Sequence, residues 1–270
     1  MSGTSRSPSG IAYREAGEQD APPALFLHGY PESSYMWREA VDAAGGAGWR
    51  AIALDLPGFG DSPLERPGTW ERHMEAVERF RAELGLERVA LVSHDWGALI
   101  GLRWACEHPD AVRALVISSS GFFPEGKWHG MAQALRAETG EEIVDSMTRE
   151  GFGALMRQAG PSLDTDATDE YWKAFSDPQR RRGQLDLYRS GDFEKLRAYE
   201  GRLAGLGVPT LLLWGEDDAF APVAGAHRFR KEIPGAELVV IPGSGHFVWE
   251  DAPARTAEEL VLFLGRVLSG

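Results

Sequence analysis

With 270 residues, 43% of them hydrophobic and 26% charged, the chain is long enough to bury a full core, and its composition argues against disorder. A formal charge of −13, from 28 Lys and Arg against 41 Asp and Glu, argues against nucleic acid or an anionic membrane surface as a partner. The single cysteine, Cys106, rules out an internal disulfide and a cysteine-based metal site. Taken from its start, the chain opens on MSGTSRSPSG, which lacks the apolar segment of a secretion signal. No run of about 18 apolar residues follows anywhere, so a cytoplasmic protein without a membrane span is expected.

Short apolar runs then recur: ALFL at 24–27, AIAL at 51–54, VALV at 89–92, ALVIS at 114–118, TLLLW at 210–214 and ELVVI at 237–241. Continuous rather than alternating runs predict strands buried on both faces. Helical spacing lies between several of them, over Trp70 to Gly85, Ala98 to Glu107 and Ala252 to Leu268. The alternation predicts an α/β fold, a mostly parallel central sheet flanked by helices, with ligands gathering at the carboxyl ends of the strands. From Gly121 to about Leu203 no strand is evident, and short helices carry Trp128, Tyr171, Trp172 and Tyr188. The predicted organisation is a core over 1–121, a helical cap or lid over 122–203 and a second core segment over 204–270.

The stretch LVSHDWGALIG at 91–101 ends a strand and opens a helix, with Ser93 and Gly97 flanking Asp95 at the spacing of a nucleophile elbow. A carboxylate stands where such an elbow usually holds serine; Asp is also a sound helix cap at that place. Three other stretches place polar groups just after strands. HGYP at 28–31 offers backbone N–H groups, GEDD at 215–218 offers Asp217 or Asp218, and GSGHF at 243–247 offers His246. Nucleophile, acid and histidine in that chain order match the triad order of one hydrolase fold.

HGYP, DLPGFGDS, SHDWGA, GEDD and GSGHF together resemble the α/β-hydrolase superfamily, in the branch of haloalkane dehalogenases and epoxide hydrolases that use an Asp nucleophile. The resemblance spans 24–121 and 204–270. It implies Asp95 as nucleophile, His246 as general base and Asp218, three residues after Gly215, as the acid that orients it. It also implies oxyanion donors at the backbone N–H groups of Tyr30 and Trp96, and leaving-group stabilisation by the Trp96 indole and by Tyr188 in the lid. In DLPGFGDS, Gly58 and Gly60 are expected to shape a loop. Trp128, Trp172, Phe220 and Phe247 are expected in the substrate pocket.

Haloacetate dehalogenases follow the nucleophile with Arg, where this chain has Trp96, so a neutral substrate is expected. Epoxide hydrolases pair two lid tyrosines; Tyr188 resembles the later one, the earlier one is missing, and Tyr171, which alone could replace it, sits in DEYWKAFSDP, which reads as a packing motif of the lid. The implied reaction is hydrolytic dehalogenation of a haloalkane through a covalent ester on Asp95, with epoxide opening as the alternative. A non-catalytic binding protein and a cofactor-free oxygenase are further readings on the same fold. No cofactor or metal is called for, the partners are a small neutral substrate and water, and a monomer or homodimer is expected.

Overall fold

The computed structural model describes residues 4–269; the first three residues of the N-terminal stretch read above lie outside them. Eight strands form one sheet: β1 Ser5–Arg6, β2 Ala12–Ala16, β3 Pro23–Leu27, β4 Arg50–Leu54, β5 Val89–His94, β6 Val112–Ser118, β7 Thr210–Gly215 and β8 Glu237–Ile241. Their spatial order is β1-β2-β4-β3-β5-β6-β7-β8. All neighbours from β4 to β8 pair in parallel, whereas β1 and β2 join one edge antiparallel. The six expected strands are the parallel ones, and in β5 and β7 every residue is buried, which is why their sequences read as unbroken apolar runs. Strands β1 and β2 were not expected. AYREA in β2 is mixed in polarity because four of its five residues are partly exposed at the sheet edge.

Helices α1 Arg38–Gly46, α2 Trp70–Glu83 and α3 Asp95–Glu107 cover the first half of the sheet. α2 begins where Thr69 accepts a hydrogen bond from Arg72 N at 3.4 Å. α3 is buried nearly all round, from Trp96 to Cys106, as its uniformly apolar sequence requires. Between β6 and β7 the chain makes α4 Gly130–Arg136, α5 Gly140–Ser146, α6 Arg149–Ala159, α7 Thr165–Trp172, α8 Pro178–Ser190 and α9 Arg202–Gly205. The rest is α10 Ala224–Glu232, α11 Val248–Asp251 and α12 Pro253–Ser269. Among the described residues no helix is long and apolar enough to cross a membrane.

Helix α8 is fastened to the loop after β4. Asp177 caps it, accepting from Gln179 N at 2.8 Å and Arg180 N at 3.0 Å. The Arg180 guanidinium donates to the carbonyls of Gly58 (3.1 Å), Gly60 (3.3 Å) and Ser62 (2.7 Å). Asp186 accepts from Arg66 Nε at 2.9 Å and from Gly68 N at 3.1 Å. The carbonyls that receive the Arg180 bonds belong to the DLPGFGDS segment. Its Gly58 (φ 84°) and Gly60 (φ 45°) are left-handed, and Asp55 holds it from below by accepting from Ser34 N at 2.7 Å and Asp61 N at 2.8 Å.

The sharpest steric constraint is where α3 leaves β5. A Cβ on Gly97 would stand 2.3 Å from the Leu27 carbonyl oxygen and 2.4 Å from that of His28, so α3 can cross the end of β3 only with glycine there. Gly97→Ala is therefore expected to destabilise the protein by about 2 kcal/mol or more, measured by urea unfolding. Gly46→Ala, where a Cβ meets nothing within 4 Å, is the matched control and is expected to be neutral or slightly stabilising.

Candidate active site

Because α3 starts so close to β3, Asp95 takes a left-handed conformation, φ 47°, rare for a residue other than glycine. It does not cap the helix: it is the first helical residue, and the cap position belongs to His94. The turn lifts the carboxylate above the sheet. There Oδ1 accepts from the backbone N–H of Tyr30 at 2.8 Å, and Ser120 Oγ donates to the Asp95 carbonyl at 2.8 Å. Gly29 permits the approach, since a Cβ on it would come within 2.6 Å of Asp95 Cβ.

Across from this carboxylate, in the loop after β8, His246 Nε2 lies 3.7 Å from Asp95 Oδ2. Its Nδ1 contacts both oxygens of Asp218, at 3.1 and 3.0 Å. Asp218 sits after β7 and also accepts from the backbone N–H groups of Phe220 (2.9 Å) and Ala221 (2.8 Å). Asp217, by contrast, is exposed.

The three groups set one another's charge. Burial alone would lower the His246 imidazole, but Asp218 and then Asp95 outweigh it and raise its pKa to about 10. Burial pulls the Asp95 and Asp218 carboxyls upward, and the His246 cation more than reverses this, leaving both below the usual carboxylate range. At neutral pH the centre is an imidazolium between two carboxylates.

A cavity of about 760 Å³, its mouth included, opens onto Asp95 and His246 beneath helices α4, α5, α6 and α8. Its wall is mostly aliphatic and aromatic, with Met131, Leu135, Ile143, Met147, Phe152 and Met156 among its residues. Tyr30, His129 and Tyr188 add polar groups, and among the described residues no Lys or Arg lines it. The Tyr188 ring stands edge-on to Trp96, centroids 5.2 Å apart at 80°, and edge-on to Tyr30 at 4.7 Å and 90°. Burial holds the Tyr188 phenol well above its ordinary range, the nearby Tyr30 and Asp95 add to this, and a contact with the Trp96 indole N–H opposes it. The phenol is a proton donor throughout the working pH range.

Of the expected pocket residues, Phe220 and Phe247 lie in this wall. Two expectations need correction. Trp172 does not face the cavity: it packs with Phe175 (6.1 Å, 15°) and Phe152 (5.6 Å), and these two phenylalanines reach the wall in its place. Trp128 lines a neighbouring, more open cleft, where it stacks on Trp96 (5.4 Å, 20°) and Phe193 (4.6 Å). Tyr171, read from the sequence as part of a lid packing motif, is buried away from the cavity and donates to Glu250. The tyrosine beside Tyr188 is Tyr30, whose phenol the sequence reading did not single out. It also passed over Ser120 and the lid methionines; the methionines carry no spacing signal, because which face of a short helix turns inward depends on how the helices pack.

A mostly parallel sheet with acidic, histidine and nucleophile-elbow residues at its carboxyl edge defines an α/β-hydrolase. The chain belongs to that family of hydrolases, described as the alpha/beta hydrolase fold, which matches residues 22–253, and within it to the haloalkane dehalogenase branch. It is 31% identical to a haloalkane dehalogenase of Psychrobacter cryohalolentis, covering 94% of this chain and 87% of that one. It is 32% identical to a haloalkane dehalogenase of Mycobacterium marinum, covering 92% and 86%. The crystal structure of haloalkane dehalogenase DbeA from Bradyrhizobium elkani superposes with a TM-score of 0.87 at 25% identity, covering 99% and 98% of the two chains.

The raised His246 pKa has a consequence for stability. The group contributes stability that is fully present below its unfolded value of 6.5 and is lost as pH rises through about 10. Urea unfolding at pH 6, 8 and 10 is expected to show wild-type stability falling across this window, with a shallower fall in His246→Gln.

Proposed function

We propose that the protein is a hydrolytic haloalkane dehalogenase, its core formed by 1–121 and 204–270 and its lid by 122–203. The observation that carries this reading is the Asp95 carboxylate at the elbow: Oδ1 is held by the Tyr30 N–H, and Oδ2 is left free, 3.7 Å from His246 Nε2. A carboxylate displaces a leaving group at saturated carbon to give an ester, whereas on an acyl carbon it would give an anhydride. The haloalkane dehalogenases to which the chain is similar support halide as that leaving group.

In the first step Oδ2 bonds to the substrate carbon as the carbon–halogen bond breaks and its electron pair departs with the halide. The Trp96 indole N–H and the Tyr188 O–H are the donors for the departing anion, and the apolar wall strengthens both contacts by excluding water. The substrate is neutral, since among the described residues no Lys or Arg lies in the wall and the His246 cation is already matched by Asp95 and Asp218. Esterification removes the charge of Asp95, one of the two carboxylates that hold the proton on His246. The imidazolium then gives its proton to solvent, the one proton that the overall hydrolysis releases, and becomes a base at the point where one is needed. It takes a proton from water, the oxygen adds to Asp95 Cγ, and the oxyanion forms on Oδ1 against the Tyr30 N–H. On collapse His246 returns its proton to the departing alkoxide, which leaves as the alcohol, and the acid proton left on Asp95 passes to His246 and restores the carboxylate.

Epoxide opening is the second reading, favoured by Tyr30 and Tyr188, whose ring centroids lie 4.7 Å apart in the cavity wall. Intact-mass measurement of His246→Gln after incubation with 1-haloalkanes and with epoxides separates the two. The variant acylates without deacylating, so a gain equal to the alkyl group is expected. A gain equal to the whole epoxide establishes the second reading, and no adduct on folded protein with either panel refutes the covalent mechanism. Trp96→Phe is expected to lower the rate of halide release about 100-fold, measured by single-turnover halide assay.

A further inference from the structure

Behind the site lies a second polar cluster. Glu32 and His94 are both fully buried, and His94 Nε2 stands 3.5 Å from Glu32 Oε2. Neither carboxylate oxygen of Glu32 has a hydrogen-bond partner, and neither has His94 Nε2. An ionised carboxylate left so bare is strongly disfavoured.

The bonds around Ser118 fix the protons. Its Oγ donates its one hydrogen to the Ser93 carbonyl at 3.2 Å and accepts from the Trp249 indole N–H at 2.9 Å. With that hydrogen on the Ser93 carbonyl, the remaining contact, His94 Nδ1 at 3.2 Å, is made by a ring N–H, the tautomer that the proposal assigns. Burial, reinforced by the nearby His246 cation, lowers the His94 pKa to about 3, so the ring is neutral and carries its lone pair on Nε2. That lone pair faces Glu32, and only a protonated carboxyl can donate to it. A movement of about half an ångström closes the separation to a hydrogen bond.

We propose that Glu32 is a carboxylic acid in the working enzyme, donating to His94 Nε2, and that it is a positioning residue: it locks the His94 ring under Asp95 and keeps a second negative charge away from the nucleophile. The titratable groups facing it are His94, His246, Asp95, Glu250 and Tyr171. Burial holds its carboxyl far above the ordinary range; His246 opposes this, while Glu250 and Asp95 reinforce it. Glu250 is already committed to Arg38, at 2.9 and 2.8 Å, and to the Tyr171 hydroxyl. The His94 and His246 rings lie 5.1 Å apart, so a charge on Glu32 would be felt by the base. After Asp95 is esterified, an ionised Glu32 would keep the proton on His246, whereas a neutral one leaves Asp218 as the carboxylate that holds it.

The effect on turnover rests on the Asp95 and His246 mechanism proposed above; the protonation of Glu32 does not, so the two are tested separately. Infrared difference spectra of wild type minus Glu32→Gln at pH 7 are expected to show a carboxylic-acid carbonyl band that shifts in D2O, whatever the reaction proves to be. A carboxylate pair of bands in its place overturns the proposal. For turnover, Glu32→Leu is expected to lose about tenfold or more in kcat with KM within about twofold, and the neutral donor N–H of the Gln amide in Glu32→Gln to restore most of it. Equal losses in the two variants overturn the positioning role, and should Glu32→Leu not fold, a tenfold loss in Glu32→Gln does the same.

Discussion

The crossing of α3 over the end of β3, closed to the point where only a hydrogen fits at Gly97, sets the geometry on which the site depends. The helix cannot begin later without pulling off the sheet, so the chain turns within one residue, and Asp95 absorbs the turn as a left-handed conformation. Strain of that kind persists only where its surroundings hold it. Here the Tyr30 N–H grips the side chain and Ser120 grips the carbonyl, so the same contacts that hold the strain also orient the carboxylate.

Electrostatics completes what the turn begins. A buried imidazolium flanked by two carboxylates leaves one net negative charge shared by the three groups, and each partner's protonation depends on the others. In the proposed cycle this coupling gives timing without movement: the basicity of His246 changes because a covalent bond forms on its neighbour. The surroundings are arranged so that few other charges interfere, with Glu250 bound to Arg38 and the cavity wall free of Lys and Arg among the described residues.

Much of this was legible in the sequence, for reasons that differ by element. Strands β3 to β8 announced themselves because most are buried on both faces, and the elbow because its small residues sit at fixed offsets from Asp95. Asp218 and His246 followed from their places after strands. Strands β1 and β2 were missed because an edge strand in contact with solvent has no continuous apolar run. The lid was legible only as a set of helices. Trp172 and Phe175 are three residues apart and equally apolar, and only the packing of α7 on α6 decides that the phenylalanine reaches the cavity. The pairing of Tyr30 with Tyr188 joins a core loop to a lid helix far along the chain, which no local pattern encodes.

The fastening of α8 has a bearing on how the cavity exchanges its contents. Arg180 makes its hydrogen bonds to neutral backbone carbonyls and meets a carboxylate only at 3.9 Å, Asp177 of its own helix, so dissolved ions that screen the Arg66 and Asp186 pair leave this anchor largely intact. One side of the lid is thereby pinned in any ionic medium. Traffic is left to the mouth, where the exposed Met131 and Leu155 stand among the lining residues. An enzyme whose product is itself a salt gains from a hinge whose stiffness does not change as that product accumulates.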